Sequence, residues 1–194
     1  MTKPFLAATV FASLATPGLA DMARYDLDPS HTAVYFTVTH IGYSKTLGIF
    51  TDLEGGFSYD VDNRELGPVE VTIEAGSVNT FNRARDSHVK NRDFLHVSQH
   101  PEITFVANGG TARGADRGTV TGDLTILGVT RPVTLDVTLN KVADYPFGHQ
   151  RETLGLSMST SIKRSDFGMM YAVDNGLVGD EVTINIETEA IKAE

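Results

Sequence analysis

Strict alternation of apolar and polar residues recurs along this chain and constrains its fold more than any other feature. In the clearest case, Val133, Leu135, Val137 and Leu139 are separated from one another by single polar residues. Successive side chains of a β-strand point to opposite faces, so this spacing predicts a strand with one buried and one solvated face. Comparable runs occur within residues 31–40, 48–61, 69–74, 101–105, 120–126, 156–162 and 182–187. About eight such strands with turn signals between them predict an antiparallel sandwich or barrel.

One basic stretch, residues 77–105, interrupts this β pattern. It holds four of the sixteen Lys and Arg residues and three of the six His residues, in a chain whose formal net charge is −9. Two interpretations account for it. The stretch is either a surface helix that closes one end of a barrel, or a polar gate over an apolar cavity.

The residue spacing inside this stretch predicts a short helix. Phe81 and His88 lie about two helical turns apart and therefore share a face. Asn79 or Thr80 has the kind of side chain that caps the start of a helix. We therefore expect a helical excursion over about residues 80–96, between two strands.

The first twenty residues have the layout of a secretory signal peptide. Lys3 precedes an apolar run at 5–14, and small residues lead to a predicted cut between Ala20 and Asp21. That run is too short to span a bilayer, and no later segment reaches about 18 apolar residues, so no membrane-spanning helix is expected. The prediction is an exported protein, most simply periplasmic, whose residues 21–194 form one domain.

Charge and composition narrow the classes of function. A net charge of −9 argues against general nucleic-acid binding, because such binding needs many phosphate contacts from Lys and Arg. The chain has no Cys, so its stability comes from its core and not from disulfides. An outer-membrane β-barrel is a rival interpretation, but it would need girdles of aromatic residues. This chain has no Trp, and only 8% of its residues are aromatic.

Motifs for catalysis and metal binding have little support. The histidines His88, His96 and His100 lack the spacing of common zinc sites and occur without Cys or an HExxH motif, so hydrogen bonding is their better interpretation. The chain contains no GxSxG elbow, no phosphate-binding Walker loop and no GxGxxG sequence. We expect no metal, no cofactor and no enzymatic activity.

Arg85 and His88 are candidates for contact with a polar ligand. They lie three residues apart, on neighbouring helical turns, with Asp86 between them. They either hold an anionic or polar head group, for which the planar guanidinium is well suited, or Arg85 and Asp86 tie the helix to a strand. Both interpretations can hold together.

The segment 164–171 ends an alternating strand with a charged kink and an apolar loop. Arg164 and Asp166 are expected to pair at the strand end. Phe167 and Met169 belong to a loop that is unusually apolar for a surface. This loop is expected to be either a lid on the core or a binding surface.

Taken in order, the motifs of residues 21–194 resemble the YceI-like family of lipid- and polyisoprenoid-binding proteins. The matching segments are 25–32 (YDLDPSHT), 36–40 (FTVTH), 48–50 (GIF), 77–80 (SVNT), 85–89 (RDSHV) with 93–94 (DF), 101–105 (PEITF), 122–133 (GDLTILGVTRPV) and 164–168 (RSDFG). No single segment is specific, whereas the ordered set is. The departures are small: Val89 stands where the family usually has Leu, and Leu127 stands where His is common.

The resemblance implies an all-β fold, an extended and lipocalin-like antiparallel barrel of eight strands. Its apolar pore is expected to take a polyisoprenoid or another long-chain amphiphilic lipid. Members are typically periplasmic or secreted and some form dimers, so a homodimer is among the expectations. The expected function is an exported binding protein that serves transport, storage or stress response. The alternative is an enzyme that acts on a lipid-like substrate in the same pocket.

Strand alternation assigns the candidate ligand contacts, since the faces of a strand follow from its register. The expected pore residues are Phe36, Phe50, Phe105, Leu124 and Ile126, with Phe81, Phe94, Phe167 and Met169 near an end. The expected head-group contacts are His40, Arg85, His88 and Arg164. Because each buried CH₂ contributes about 0.8 kcal/mol, the tail is expected to dominate affinity and the head group to provide discrimination.

Overall fold

The computed structural model describes residues 22–194 of the chain. The predicted signal peptide and its cut before Asp21 lie outside the described residues. The described part is dominated by β-strands and contains one short α-helix, α1 (Arg83–Val89). No helix within residues 22–194 is long and apolar enough to cross a membrane.

Twelve β-strands follow one another along the described chain. They are β1 (Ala23–Leu27), β2 (Ala33–His40), β3 (Ser44–Phe50), β4 (Leu53–Asp60), β5 (Glu65–Glu74), β6 (Val78–Asn79), β7 (Glu102–Ala107), β8 (Thr111–Ala112), β9 (Arg117–Ile126), β10 (Val129–Asp144), β11 (Glu152–Lys163) and β12 (Val178–Lys192). Short 3₁₀ turns at Ala75–Ser77 and Arg164–Phe167 follow β5 and β11.

The strands close into one antiparallel barrel. From β1 the order runs through β4, β5, β7, β9, β10, β11 and β12, and β12 pairs again with β1. β2 continues the position of β1, because β12 pairs with β2 over residues 182–187 and with β1 over residues 190–192. In the same way, β3 shares one barrel position with β4, and β6 shares the next position with β5, because β3 pairs with β6 as β4 pairs with β5. The segments thus fill eight positions, which confirms the predicted eight-stranded barrel.

Asp28 produces the break between β1 and β2. Its Oδ1 accepts a hydrogen bond of 2.8 Å from the backbone N–H of Ser30, which is the bond of an Asx turn. On the neighbouring strand, the backbone carbonyl of Glu189 accepts from the N–H of Asp28, and the backbone N–H of Glu189 donates to the carbonyl of His31. The barrel wall therefore stays hydrogen-bonded across the turn.

The barrel has two unlike ends, which we call the helix end and the loop end. The helix end carries α1 and the turns on either side of it, and its core includes the buried residues Val78, Leu95 and Phe167. The loop end carries the β4–β5 turn and the loop 108–116, and its core includes Tyr25 stacked on Phe57 at 5.8 Å.

Tyr25 fixes the core of the loop end to the barrel rim. Its ring is fully buried, and its hydroxyl donates to Oε1 of Glu152 at 2.5 Å. Burial and this hydrogen bond raise the pKa of Tyr25 well above the usual value for a phenol. The same bond is the main cause that lowers the pKa of Glu152.

The helical excursion is shorter than the sequence suggests. We expected it over about residues 80–96, whereas α1 covers only Arg83–Val89 and turns follow it. Neither Asn79 nor Thr80 is the N-cap: Asn82 occupies that position, and its side chain accepts from the N–H of Arg85 at 3.1 Å. Asn79 instead accepts from the N–H of Phe81.

Candidate functional site

An apolar cavity of about 340 Å³ occupies the barrel interior. This volume lies within the range of roughly 300–1,000 Å³ that is typical of small-molecule sites. Every strand position of the barrel contributes inward-facing residues to the lining, and most of them are Val, Leu, Ile or Phe. Val137, Met158 and Ile184 face the interior and are nonetheless only half-buried, because they border open space.

Eight of the nine residues expected in the pore line this cavity. They are Phe36, Phe50, Phe94, Phe105, Leu124, Ile126, Phe167 and Met169. Phe81 does not: its side chain is 69% exposed on the outside of the helix end. The cause is local, because the backbone of Phe81 has a φ of 64° and turns the ring outward.

Two glycines make room for aromatic rings inside the barrel. A Cβ placed on Gly48 would lie 2.3 Å from the ring of Phe36. A Cβ on Gly122 would lie 2.6 Å from the ring of Phe105 and 2.6 Å from the carbonyl oxygen of Val106. These rings therefore lie against bare backbone, which is how the barrel accommodates them beside an open cavity.

Arg164 is the expected head-group residue that does reach the cavity. It is only 3% exposed, and its guanidinium donates to the carbonyls of Gly179 at 2.8 Å, Met169 at 2.7 Å and Val178 at 2.8 Å. Desolvation by burial lowers the pKa of Arg164, and the nearby Asp180 acts in the opposite direction.

The expected pairing of Arg164 with Asp166 is absent among the described residues. Asp166 is exposed, and Asp180 instead receives bonds from the backbone N–H and hydroxyl of Ser165. Arg164 therefore joins the end of β11 to the start of β12, with most of its hydrogen-bonding capacity used within its own chain.

Arg85 and Asp86 tie α1 to the end of β6 through Thr80. Arg85 donates to the Thr80 hydroxyl at 2.9 Å and to its carbonyl at 2.6 Å. Oδ1 of Asp86 accepts from the Thr80 N–H and hydroxyl, both at 2.6 Å. These hydrogen bonds hold the pKa of Asp86 below its usual value. Thr80 itself is buried, so this arrangement is the structural tie that the sequence allowed as one interpretation.

His88 does not line the cavity but belongs to an aromatic cluster with Phe94, which does, and Tyr171. Its Nε2 lies 3.1 Å from Oδ2 of Asp93, and its ring makes edge contacts with Phe94 and Tyr171, each with centroids 5.0 Å apart. Phe94 links this cluster to the cavity, because its ring lies against the guanidinium of Arg164 at 5.9 Å. His40 lies apart from this cluster, exposed at the end of β2. The structure therefore does not bring His40, Arg85, His88 and Arg164 together around one ligand position.

The sequence also matches a family model, that of the YceI-like domain, over residues 25–190. The chain belongs to the YceI-like family. This YceI-like chain is 38% identical over 195 residues to a UPF0312 protein of Pseudomonas aeruginosa, with 99% of this chain and all of that protein covered.

Solved structures of similar proteins agree with the barrel architecture. The YCEI protein of Campylobacter jejuni superposes with a TM-score of 0.74 at 33% identity, over 80% of this chain and 90% of that one. A polyisoprenoid binding domain from Saccharophagus degradans superposes with a TM-score of 0.66 over 89% of this chain and all of that one. Its identity is 17%, so this second likeness shows the fold alone.

The loop end of the YceI-like barrel borders the cavity with exposed residues, which the site assignment from sequence missed. Exposed lining residues come from the loop and start of β9, among them Gly114, Asp116 and Arg117, and from Arg64 in the β4–β5 turn. The helix end is lined instead by buried or half-buried residues such as Leu95. In the sequence, the glycines of residues 108–114 could have predicted that this rim of the cavity is made of small side chains.

A polar cluster outside the YceI-like cavity joins the β1–β2 turn to β12. Asp28, His31 and Glu189 have potential metal-ligand atoms within 4.8 Å of one another. Nδ1 of His31 lies 2.7 Å from Asp28 and 3.8 Å from Glu189. The bond with Asp28 is the main cause that raises the pKa of His31. Internal hydrogen bonding accounts for this cluster.

Proposed function

We propose that this chain is an exported binding protein that encloses the tail of a long isoprenoid or similar amphiphilic lipid. The observation that carries the proposal is the apolar inner surface to which all eight strand positions contribute. Each CH₂ of a tail enclosed there would gain about 0.8 kcal/mol of transfer free energy, and a long chain accumulates this gain against association costs of about 4–15 kcal/mol. The neighbour from Saccharophagus degradans, described as polyisoprenoid-binding, supports the proposal at the level of fold.

The chemistry of the lining supports binding over catalysis. Among the described residues, no His, Ser, Cys, Lys or Glu lines the cavity. Its charged lining residues are Arg64, Asp116, Arg117 and Arg164. General acid–base catalysis needs a titratable group within reach of the reacting atoms, and most of this surface offers none. Transport, storage and stress protection all fit such a protein.

Export is part of the proposal and rests on the amino-terminal sequence. A basic residue, a short apolar run and small residues before Asp21 are the elements of a cleavable signal peptide. A periplasmic carrier follows from that layout. Amino-terminal sequencing of the protein from its native host tests it, with Asp21 expected as the first residue. The resemblance also leads us to propose a homodimer, which sedimentation of the same material tests.

Mass spectrometry of organic extracts from protein purified from its native host tests the carrier function. We expect a co-purifying long-chain lipid. The variant that tests the cavity is Val137→Trp, which places a large ring in the cavity at a half-buried position, and the parent protein is the reference. This variant should carry less lipid at equal yield and with an unchanged circular dichroism spectrum. Extracts of the parent protein without any long-chain lipid would contradict the proposal.

A further inference from the structure

Exposed apolar side chains are concentrated at the helix end of the barrel. Of the ten large hydrophobic residues that are exposed in the described chain, seven lie on the β2–β3 hairpin, beside α1 or on the loop 168–177. They are Ile41, Tyr43, Leu47, Phe81, Met170, Tyr171 and Leu177. We call these seven residues the apical patch. Patches of this kind on a folded chain mark interaction surfaces.

Backbone and ring contacts join the parts of the apical patch. The N–H of Ile41 donates to the carbonyl of Leu177 at 2.9 Å, which joins the hairpin to the loop. Tyr171 contacts His88 of α1, with ring centroids 5.0 Å apart. Pairing of β3 with β6 brings the segment that leads to Phe81 against the hairpin. The seven residues therefore belong to segments that are fastened to one another.

The most exposed members are aromatic, and Phe81 is held outward by its backbone. Tyr43 is 90% exposed and Phe81 is 69% exposed. The φ of Phe81 is 64°, a conformation that bulky residues rarely adopt, and its N–H is held by the side chain of Asn79 at 2.8 Å. A strained position that keeps an apolar ring in water points to a use for that ring.

The side-chain charges of the segments that carry the apical patch indicate an anionic partner. The segments that carry the apical patch, residues 40–47, 80–100 and 168–177, hold five basic and three acidic side chains, while the whole chain is at −9. Two of these acids are engaged, Asp86 with Thr80 and Asp93 with His88, and one of the bases is engaged as well, Arg85 with Thr80. A two-fold dimer through this patch would bring the basic side chains of one copy against those of the other. An anionic surface suits an apolar patch with a basic rim, as in interfacial membrane binding.

We propose that the apical patch docks the barrel on the surface of an anionic lipid bilayer. Tyr43 and Phe81 insert among the head groups, and Lys45, Arg83 and Arg92 contact lipid phosphates. The inference rests on the proposed carrier function for its purpose, because a bound lipid has to pass between a bilayer and the cavity. Phe94 and Met169 line the cavity at this same end, and Met170 next to them belongs to the patch.

Vesicle co-sedimentation tests the docking. The probes are vesicles of phosphatidylcholine alone and vesicles that also contain phosphatidylglycerol. We expect the full chain to bind the anionic vesicles more tightly and to lose binding as salt is added, because salt screens the contacts with phosphate. Replacing both Tyr43 and Phe81 by Ser should weaken binding about tenfold or more, since each exposed ring supplies apolar contact at the interface.

Phe147→Ser is the matched control, because Phe147 is 66% exposed and belongs to the β10–β11 turn, outside the patch. It should bind vesicles as the parent does. All variants have the same amino-terminal sequence, so differences in vesicle binding among them report on the substituted residues. Equal vesicle binding by the double variant and the parent would overturn the docking. So would a dimer that the double variant abolishes in analytical ultracentrifugation, since a second copy would then cover the patch.

Failure of docking and failure of the carrier function give different results. A protein that yields long-chain lipid on extraction but ignores anionic vesicles would leave the carrier and remove the docking. A protein that binds vesicles through Tyr43 and Phe81 but never contains lipid would leave the docking and remove the carrier.

Discussion

Arg164 is a cation that the barrel has taken out of water at its helix end. A buried charge is tolerated only where polar partners replace its hydration, and here three backbone carbonyls and the field of Asp180 do so. The residue therefore fastens the turn after β11 to the start of β12. Its position in the cavity wall follows from this structural role.

Replacing Arg164 by Met should destabilise the barrel by about 3 kcal/mol, because three buried carbonyls lose charge-assisted donors. Urea unfolding followed by tyrosine fluorescence measures the change. Arg92→Met is the control, since Arg92 is exposed, and it should stay within about 0.5 kcal/mol of the parent. Equal stability of the two variants would show that the carbonyl contacts contribute little.

His31 makes the stability of the β1–β2 turn depend on pH. The hydrogen bond with Asp28 raises the pKa of His31, and Asp28 and Glu189 are the carboxylates that face it. A raised pKa in the folded state contributes stability below the unfolded value of about 6.5, and that contribution is lost as pH rises through the folded pKa.

Raising the pH from about 5.5 to about 8.5 should therefore lower the melting temperature of the parent more than that of His31→Gln. Thermal unfolding at the two pH values measures this difference. His40→Gln is the matched control, because His40 is exposed at the end of β2, and the response of this variant to pH should follow the parent. Identical pH responses of the parent and His31→Gln would contradict the role of His31.

At the scale of single elements, β-strands were far easier to predict than the helical segment. The period of a strand is fixed at two, so alternation alone placed Phe105, Leu124 and Ile126 on the inner face. Phe81 escaped prediction because a left-handed backbone just before α1 turned its ring outward. The partners of Arg164 escaped it too, since two of its three carbonyls come from β12, more than ten residues further along the chain.

Gly122 allows β9 to pass beneath the ring of Phe105. Gly122→Ala should destabilise the protein by about 1–3 kcal/mol, because its Cβ would lie 2.6 Å from that ring and 2.6 Å from the carbonyl oxygen of Val106. Chemical denaturation measures the loss. Gly76→Ala is the control, since a Cβ there meets nothing within 4 Å, and it should be close to neutral. An equally neutral Gly122→Ala would mean that the ring moves aside freely.

For the molecule as a whole, an open interior separates this barrel from one that is filled by its own side chains. A barrel of eight strands has space inside for packed side chains or for one small ligand. Here inward residues such as Val137 and Met158 remain half-buried beside the cavity. Contacts that would otherwise come from the core are left for a ligand to make, so the stability of the protein should depend on its load.

Stripping the protein of lipid should lower its melting temperature, and adding back a long-chain isoprenoid alcohol should restore it. At a free concentration of 100 times the dissociation constant, a ligand adds about 2.7 kcal/mol of stability. For a chain of this size that corresponds to a shift of about 5–10 °C. Differential scanning calorimetry measures the shift, and Val137→Trp, with its narrowed cavity, should show a smaller one. A stripped protein that melts at the same temperature with and without the alcohol would mean that the cavity takes no such ligand.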